Sequence, residues 1–287
     1  MSRSNRLDKK KKKQKENSRA VTADKHILYQ HSVQDTDTEL ELMDEKFRAI
    51  RGVSPLSFRE DFCGTALLSV AWCKGAPDRT AQGIDLCEDT LQWGREHNLD
   101  SADADVISRV ELVNANVLEV GQPRVDITCA LNFSYSIFKT RETLLQYFKA
   151  AITGLNDNGV LMLDVFGGPE AIDSTEENRD VDGQDFEFVW EQEKYNPVTN
   201  EILCNIHFEF DDGSRMEKAF TYDWRLWSIA ELHELLLEAG FSRVHVYWEE
   251  YKDTGDDDEY LEGTGNYLEV TEVEQQESWV SYIFAEV

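Results

Sequence analysis

Between residues 55 and 165, short apolar runs alternate five times with amphipathic segments, and this alternation constrains the fold more than any other feature. Leu56-Ser57-Phe58 leads into a glycine-containing turn at Cys63-Gly64-Thr65, and a helix follows over residues 66–72. Residues 81–84 read as a second strand ending at Asp85, with a second helix over 89–97. Residues 110–113 and 126–131 give the third and fourth strands. The helix over 141–153 carries Leu144, Leu145, Phe148 and Ile152 on one face, and residues 159–163 form a fifth strand closed by Asp164. Strands alternating with helices are the signature of a mostly parallel sheet, since a parallel neighbour is reached only by a crossover. The expected core is an α/β, Rossmann-like, doubly wound sheet.

The pattern breaks after Gly167-Gly168. Residues 169–184 read as a polar loop, and three strand-like runs follow without helices, over 186–190, 202–210 and 216–222. Asn196-Pro197 and Asp211-Asp212-Gly213 mark the turns between them, and Asp-Gly between apolar runs signals a hairpin. An antiparallel β-meander inserted over 169–226 is expected. A helix over 229–239 stops at Gly240, and strands at 244–248 and 280–284 complete the chain. Residues 249–278 hold twelve acidic residues and one lysine, which reads as an exposed loop. Upstream, residues 25–52 read as helical, with Leu40, Leu42, Met43 and Phe47 on one stripe and Gly52 as a stop. The expected division is a disordered basic tail over 1–24, a helical segment over 25–54 and the main domain over 55–287.

Charge narrows the function classes. The 29 basic and 57 acidic side chains give a net charge of −28, yet residues 1–20 hold nine basic and two acidic residues, so the remainder carries −35. A body this acidic repels a phosphate backbone, so nucleic acid is an expected partner only through the lysine run Lys9 to Lys13 and Lys15. No apolar run reaches the ~20 residues of a membrane span, and no secretory h-region stands at the start. The five cysteines show no CxxC spacing and the six histidines no HxxxH or HxH set, so neither a disulfide framework nor a metal site is expected. A reducing, cytoplasmic setting fits, with the basic run also compatible with nuclear targeting.

Three features fall at the carboxyl ends of the strands, where ligands bind in open α/β sheets. The turn Glu60-Asp61-Phe62-Cys63-Gly64-Thr65-Ala66 aims backbone N–H groups at a ligand, and Gly64 permits its close approach. Asp85, 21 residues after Gly64, can accept both hydrogens of a ribose diol. Asn114-Ala115-Asn116-Val117 offers an amide and a backbone N–H to an adenine edge. Singly, each is also everyday structure: a turn glycine, a helix-capping aspartate, a polar loop.

In this order and spacing the segments resemble the class I S-adenosylmethionine-dependent methyltransferases. Cys63-Gly64-Thr65-Ala66 looks like their first motif, and Gly83-Ile84-Asp85-Leu86 like their second. Asn132-Phe133-Ser134-Tyr135 stands where their fourth motif lies, Gly159 to Asp164 resembles the fifth strand, and Leu235 to Phe241 resembles the segment closing many small-molecule members. The resemblance implies a seven-stranded sheet with an antiparallel final strand and S-adenosylmethionine as cofactor. It places Glu60 or Asp61, Phe62, Cys63, Gly64, Thr65, Asp85, Leu86, Asn116, Val117 and Asn132 around that cofactor.

The first motif departs from its acid-x-Gly-x-Gly-x-Gly form, with Phe62 and Ala66 in glycine places, so either Glu60 or Asp61 can be the acid. Asn132 and Tyr135 keep the ends of an amino-methylating motif without its prolines, and both are candidate catalytic residues. An amide oxygen there can accept an N–H and orient a nitrogen lone pair; the opposing reading has Asn132 ending a strand and Tyr135 packing beneath it. Tyr222, Trp224 and Arg225 are candidate substrate contacts, with Arg225 holding a carboxylate bidentately, against the alternative of a surface pair with Asp223. His207 is either a base reaching the substrate or a packed strand histidine. The expected activity is methyl transfer to a small or medium substrate, with nitrogen favoured. The alternatives are a protein side-chain methyltransferase, a non-catalytic cofactor-binding regulator and a nicotinamide oxidoreductase, which would want a fuller GxGxxG.

Overall fold

The computed structural model describes residues 18–251 and 263–287. Along them run α1 (Lys25–Val33), α2 (Thr36–Arg51), β1 (Ser57–Asp61), α3 (Leu67–Gly75), β2 (Thr80–Asp85), α4 (Glu88–Gly94), β3 (Val110–Asn114) and β4 (Val125–Ala130). Then come α5 (Arg141–Thr153), β5 (Leu155–Gly167), β6 (Thr175–Asp180), β7 (Phe186–Asn196), β8 (Glu201–Phe210) and β9 (Arg215–Arg225). The chain closes with α6 (Ile229–Ala239), β10 (Arg243–Tyr251), β11 (Gly263–Glu269) and β12 (Trp279–Glu286). Two compact units result, a larger one of residues 35–171 and 226–287 and a smaller one of residues up to 34 and 172–225. No helix among the described residues is long and apolar enough to cross a membrane.

The larger unit is built on a sheet of order β11-β10-β12-β5-β4-β1-β2-β3. Pairs from β5 to β3 are parallel, and β12 runs antiparallel between β5 and β10. That is the expected doubly wound sheet, with an eighth strand, β11, added at its edge. The strand order reverses between β1 and β4, which opens a crevice at their carboxyl ends. Leu42, Met43 and Phe47 of α2 and Leu68, Val70 and Trp72 of α3 cluster with Phe58, Cys129 and Met162 of the sheet. Leu144, Tyr147 and Phe148 of α5 and Leu232, Leu235 and Leu236 of α6 cluster with Leu161, Leu163 and Ile283. Burying a side chain of this size contributes about 1.5–3 kcal/mol, so these two layers hold the strand ends in place.

Helix boundaries follow their caps. Asp35 accepts the Thr38 N–H at 3.2 Å to start α2, and Gly52, left-handed at φ 72°, ends it. Ser228 and Glu231 form a capping box on α6, whose end at Gly240 is the one expected. The single helical stretch expected over 25–52 is two helices, because Gln34 and Asp35 leave helical geometry and Asp35 serves as a cap.

The smaller unit is an antiparallel sheet of order β6-β7-β8-β9. Leu28 of α1 packs in one cluster with Phe186, Ile206, Phe208 and Phe210. Three sequence expectations are corrected. The segment 169–184 is not all loop, for β6 pairs with β7; five of its six residues are exposed, so no apolar alternation announces it. Likewise β11 lies inside the acidic stretch 249–278; only Tyr267 packs inward, 5.1 Å from the Tyr282 ring. The tail expected over 1–24 becomes helical at Arg19–Thr22, where Arg19 pairs with Asp185 and its N–H donates to Asp212 at 2.9 Å. The lysine run, and residues 252–262 of the acidic stretch, lie outside the described residues.

Candidate functional site

The turn from β1 into α3 is left-handed at three alternate residues, Phe62 (φ 60°), Gly64 (φ 53°) and Ala66 (φ 55°). Those are the three glycine places of the motif, two of them filled here by larger residues. The Cys63 N–H donates to the Ile84 carbonyl at 2.9 Å, and the Ala66 N–H returns to the Cys63 carbonyl at 2.8 Å. The Phe62 ring packs 5.9 Å from Phe138 and 5.7 Å from Tyr147, in the core. A Cβ placed on Gly64 would meet nothing within 4 Å, so the turn presents open backbone. Thr65 is buried, and its carbonyl accepts from Asn98 at 2.8 Å.

Gly94, which the sequence did not mark, lets α4 approach this turn: a Cβ there would stand 2.4 Å from the Thr65 carbonyl oxygen. Gly94→Ala is therefore expected to lower stability by about 1–3 kcal/mol through overpacking. Scanning calorimetry reads that loss, and an unchanged Tm would contradict the close approach.

The two adjacent acids part ways, because successive strand residues face opposite sides. Asp61 is enclosed: its carboxylate pairs with Arg59 (Nε to Oδ1 2.9 Å) and accepts the Tyr147 hydroxyl at 3.0 Å. Glu60 accepts the Ser69 N–H at 3.0 Å and its hydroxyl at 2.6 Å, capping the first turn of α3. Burial pushes the Glu60 carboxyl up to about 7, against those two hydrogen bonds and with Asp85 and Asp61 adding repulsion. Asp164 at the end of β5 is also pushed up to about 7 by burial, although it accepts the N–H groups of Phe133 (2.9 Å) and Asn132.

Both carboxyls ionise near pH 4 in an unfolded chain, so the fold favours their protonated forms. The stability this linkage contributes is complete below pH ~4 and is lost as pH rises through about 7. Tm of the ligand-free protein is therefore expected to fall between pH 5 and 8, and Glu60→Gln to flatten the slope. A Tm rising across that window would contradict the assignment.

Asp85 ends β2 and joins the two neighbouring turns. Its Oδ2 accepts the Gly64 N–H at 2.9 Å and its Oδ1 the Cys87 N–H at 2.8 Å. Leu86 beside it is 66% exposed, an unusual position for a large apolar side chain. The Asp85 carbonyl takes the Ala115 N–H and the Asn114 amide, tying in the loop after β3. Asn116 accepts the Leu118 N–H at 3.1 Å in an Asx turn, and Val117 is buried. The structure thus brings Glu60, Gly64, Asp85 and the Asn114–Val117 loop together through direct hydrogen bonds or shared charge.

Asn132 and Phe133 follow β4 as consecutive left-handed residues (φ 53° and 56°), with both N–H groups turned onto Asp164. This is a small anion nest that fixes the loop. Tyr135 is 1% exposed, and its hydroxyl donates to the Asp164 carbonyl at 2.7 Å. Burial raises the Tyr135 phenol well above its ordinary range, so at neutral pH it is a neutral packing group under the loop.

Tyr222, Trp224 and Arg225 lie on β9 of the smaller unit. The Tyr222 and Trp224 rings stack at 4.4 Å, with Trp190 6.2 and 6.3 Å away, and Trp224 is 3% exposed. His207 on β8 is enclosed between Glu191 (3.0 Å) and Glu217 (2.7 Å). Glu176, Glu191 and His207 bring one ligand atom each within 4.8 Å of one another, a cross-strand group that sequence spacing does not reveal. Arg215 already neutralises Glu176 at 2.7 Å and Glu209 at 2.6 Å.

No protein-family model matches the chain, and no curated protein matches it in sequence. Solved structures do match in fold. An S-adenosylmethionine-dependent methyltransferase from Clostridium acetobutylicum superposes with a TM-score of 0.63 at 14% identity, covering 91% of this chain and 96% of that one. An amino pentose methyltransferase of calicheamicin biosynthesis from Micromonospora echinaspora gives 0.63 at 14% identity, over 91% and 95%. A sugar N-methyltransferase from Streptoalloteichus gives 0.58 at 18% identity, over 90% of each chain. The fold is that of the S-adenosylmethionine-dependent methyltransferases.

Proposed function

We propose that the chain is an S-adenosylmethionine-dependent methyltransferase acting on the nitrogen of a small or medium substrate. The observation that carries the reading is the join between turn and acid: a turn left-handed at all three motif positions, with the Gly64 N–H held on Asp85. The residues fit the cofactor, since the open face at Gly64 leaves room for a ligand and both Ser69 hydrogen bonds fall on Oε2 of Glu60, leaving Oε1 without a hydrogen bond among the described residues. Bound there, the cofactor supplies a methyl carbon on a sulfonium that departs as a neutral thioether.

In this reading Glu60, not Asp61, faces the cofactor's ammonium, because both Asp61 oxygens are engaged by Arg59 and Tyr147. Asp85 receives the ribose diol on its remaining lone pairs. Leu86 and Val117 take the adenine faces, and Asn116 its edge. Phe62, Cys63, Thr65 and Ala66 hold the turn. Asn132, fixed by the nest on Asp164, would accept an N–H of the substrate amine and so orient its lone pair. With the cofactor bound, methyl transfer to the acceptor nitrogen would be the chemistry it supplies, the C–S electron pair remaining on sulfur and the extra proton of the product ammonium passing to water. Placement and desolvation supply most of such a rate, since the leaving group needs no acid. Tyr135 positions that loop from below. The fold neighbour named as a sugar N-methyltransferase supports nitrogen as acceptor.

Calorimetric titration with S-adenosylmethionine, S-adenosylhomocysteine and NAD tests this. Micromolar affinity for the two sulfur ligands and none for NAD is expected; the reverse would install the oxidoreductase reading. The substrate role of Tyr222, Trp224 and Arg225 has its own test. Arg225→Ala should raise substrate KM and leave the S-adenosylhomocysteine affinity unchanged.

A further inference from the structure

Two consecutive residues with side chains, Asn132 and Phe133, stand in the left-handed region directly after β4, at φ 53° and 56°. A Cβ is crowded there by the following carbonyl, so such a pair persists only where its surroundings over-determine it. What holds this pair comes from β5, at three places. The Asp164 carboxylate accepts the Phe133 N–H at 2.9 Å and the Asn132 N–H beside it. The Asp164 carbonyl accepts the Tyr135 hydroxyl at 2.7 Å, and the Phe166 ring lies 4.6 Å from that of Phe133. Of the three, the carboxylate alone grips the backbone of Asn132 itself.

That carboxylate sits where a charge is unfavourable. Asp164 is 7% exposed, and the titratable groups facing it are Glu39 of α2, Cys129 of β4, Tyr135 of the same loop and Tyr282 of β12, none of them a cation. Burial pushes its carboxyl up to about 7, with the two loop N–H groups pulling the other way. For folding alone a neutral side chain would serve better. The charge has a local use, since an ionised carboxylate accepts at both oxygens, whereas protonation turns one of them into a donor. Resting on the methyltransferase reading, we propose that Asp164 is a positioning residue for methyl transfer, its carboxylate clamping the left-handed pair and so holding the Asn132 side chain toward the acceptor nitrogen. Ionised, it holds both N–H groups; protonated, it loosens the pair. An acceptor amine also needs its lone pair free, so raising pH makes clamp and acceptor competent together.

The test follows the backbone N–H groups of Asn132 and Phe133, and the side-chain amide of Asn132, by NMR on the full isotope-labelled chain. The chain is loaded in turn with S-adenosylmethionine and S-adenosylhomocysteine, which differ by the methyl group and the sulfonium charge. An Asn132 amide held at the reacting centre reports that exchange as a shift. As pH rises from about 5 to about 8, both backbone N–H signals are expected to move downfield with a midpoint near 7, and the side-chain shift to appear with the same midpoint. Asp164→Asn, which matches the protonated acid in shape, should remove the pH dependence and the side-chain shift while S-adenosylhomocysteine affinity stays within about twofold of wild type. A purely structural Asp164 would leave the side-chain shift in place. Backbone N–H signals independent of pH in the wild-type chain, no side-chain shift at any pH, or a shift that persists in folded Asp164→Asn would overturn the proposal. The wild-type titration decides it even where the variant does not fold. Failure of the wild-type chain to bind S-adenosylhomocysteine is read first and overturns the methyltransferase reading beneath it.

Discussion

Asp85→Ala is expected to weaken S-adenosylhomocysteine binding by about 100-fold or more. The carboxylate holds the Gly64 N–H at 2.9 Å and the Cys87 N–H at 2.8 Å, so its removal frees the turn as well as the proposed ribose contact. Hydrogen bonds to a charged group contribute about 1.5–3 kcal/mol each, and every 1.4 kcal/mol is tenfold in affinity. Asp85→Asn keeps an acceptor oxygen and loses the charge, so an intermediate loss of roughly tenfold is expected. Titration calorimetry on the three proteins reads the series. A dissociation constant for Asp85→Ala within twofold of wild type would remove Asp85 from the cofactor site.

The largest stability effect is expected at Arg59. The side chains of Arg59 and Asp61 are both fully buried, 2.9 Å apart, with Arg59 also donating to the Val120 carbonyl at 3.0 Å and Tyr147 to Asp61. Arg59→Met strands the Asp61 carboxylate in the core, which costs about 3–5 kcal/mol. For a chain of this length that corresponds to a Tm loss of roughly 6–20 °C. Removing both charges in Arg59→Met with Asp61→Leu should recover most of the loss, since a buried pair adds little over apolar packing. That double variant also separates the two acids: S-adenosylhomocysteine affinity should survive it. If affinity disappears from a folded double variant, Asp61 is the cofactor acid and the assignment to Glu60 fails.

The core was legible because its periods are strong. The five core strands with their interleaved helices, the capped helix Ile229–Ala239 and the Asp-Gly hairpin each follow from local chemistry that tertiary contacts reinforce. Strands β6 and β11 were not legible, since each is an exposed edge held by backbone pairing and carries almost no apolar face. The choice between Glu60 and Asp61 was partly within reach: strand alternation puts them on opposite sides, and the arginine two residues before Asp61 shares its side. What no local pattern shows is Tyr147, 86 residues away, closing that side. The group around His207 joins three strands and leaves no mark in linear spacing.

The left-handed turn has a thermodynamic consequence. Glycine at all three places would let the loop wander through both hands of φ space, and closing around a ligand would then require that freedom to be surrendered. Phe62 and Ala66 have far fewer accessible backbone states, and the Phe62 ring is anchored between Phe138 and Tyr147. The ordering penalty therefore falls on folding instead of on binding. Nucleoside association should show a smaller unfavourable entropy than in Phe62→Gly with Ala66→Gly, whose extra looseness must be frozen out each time a ligand enters.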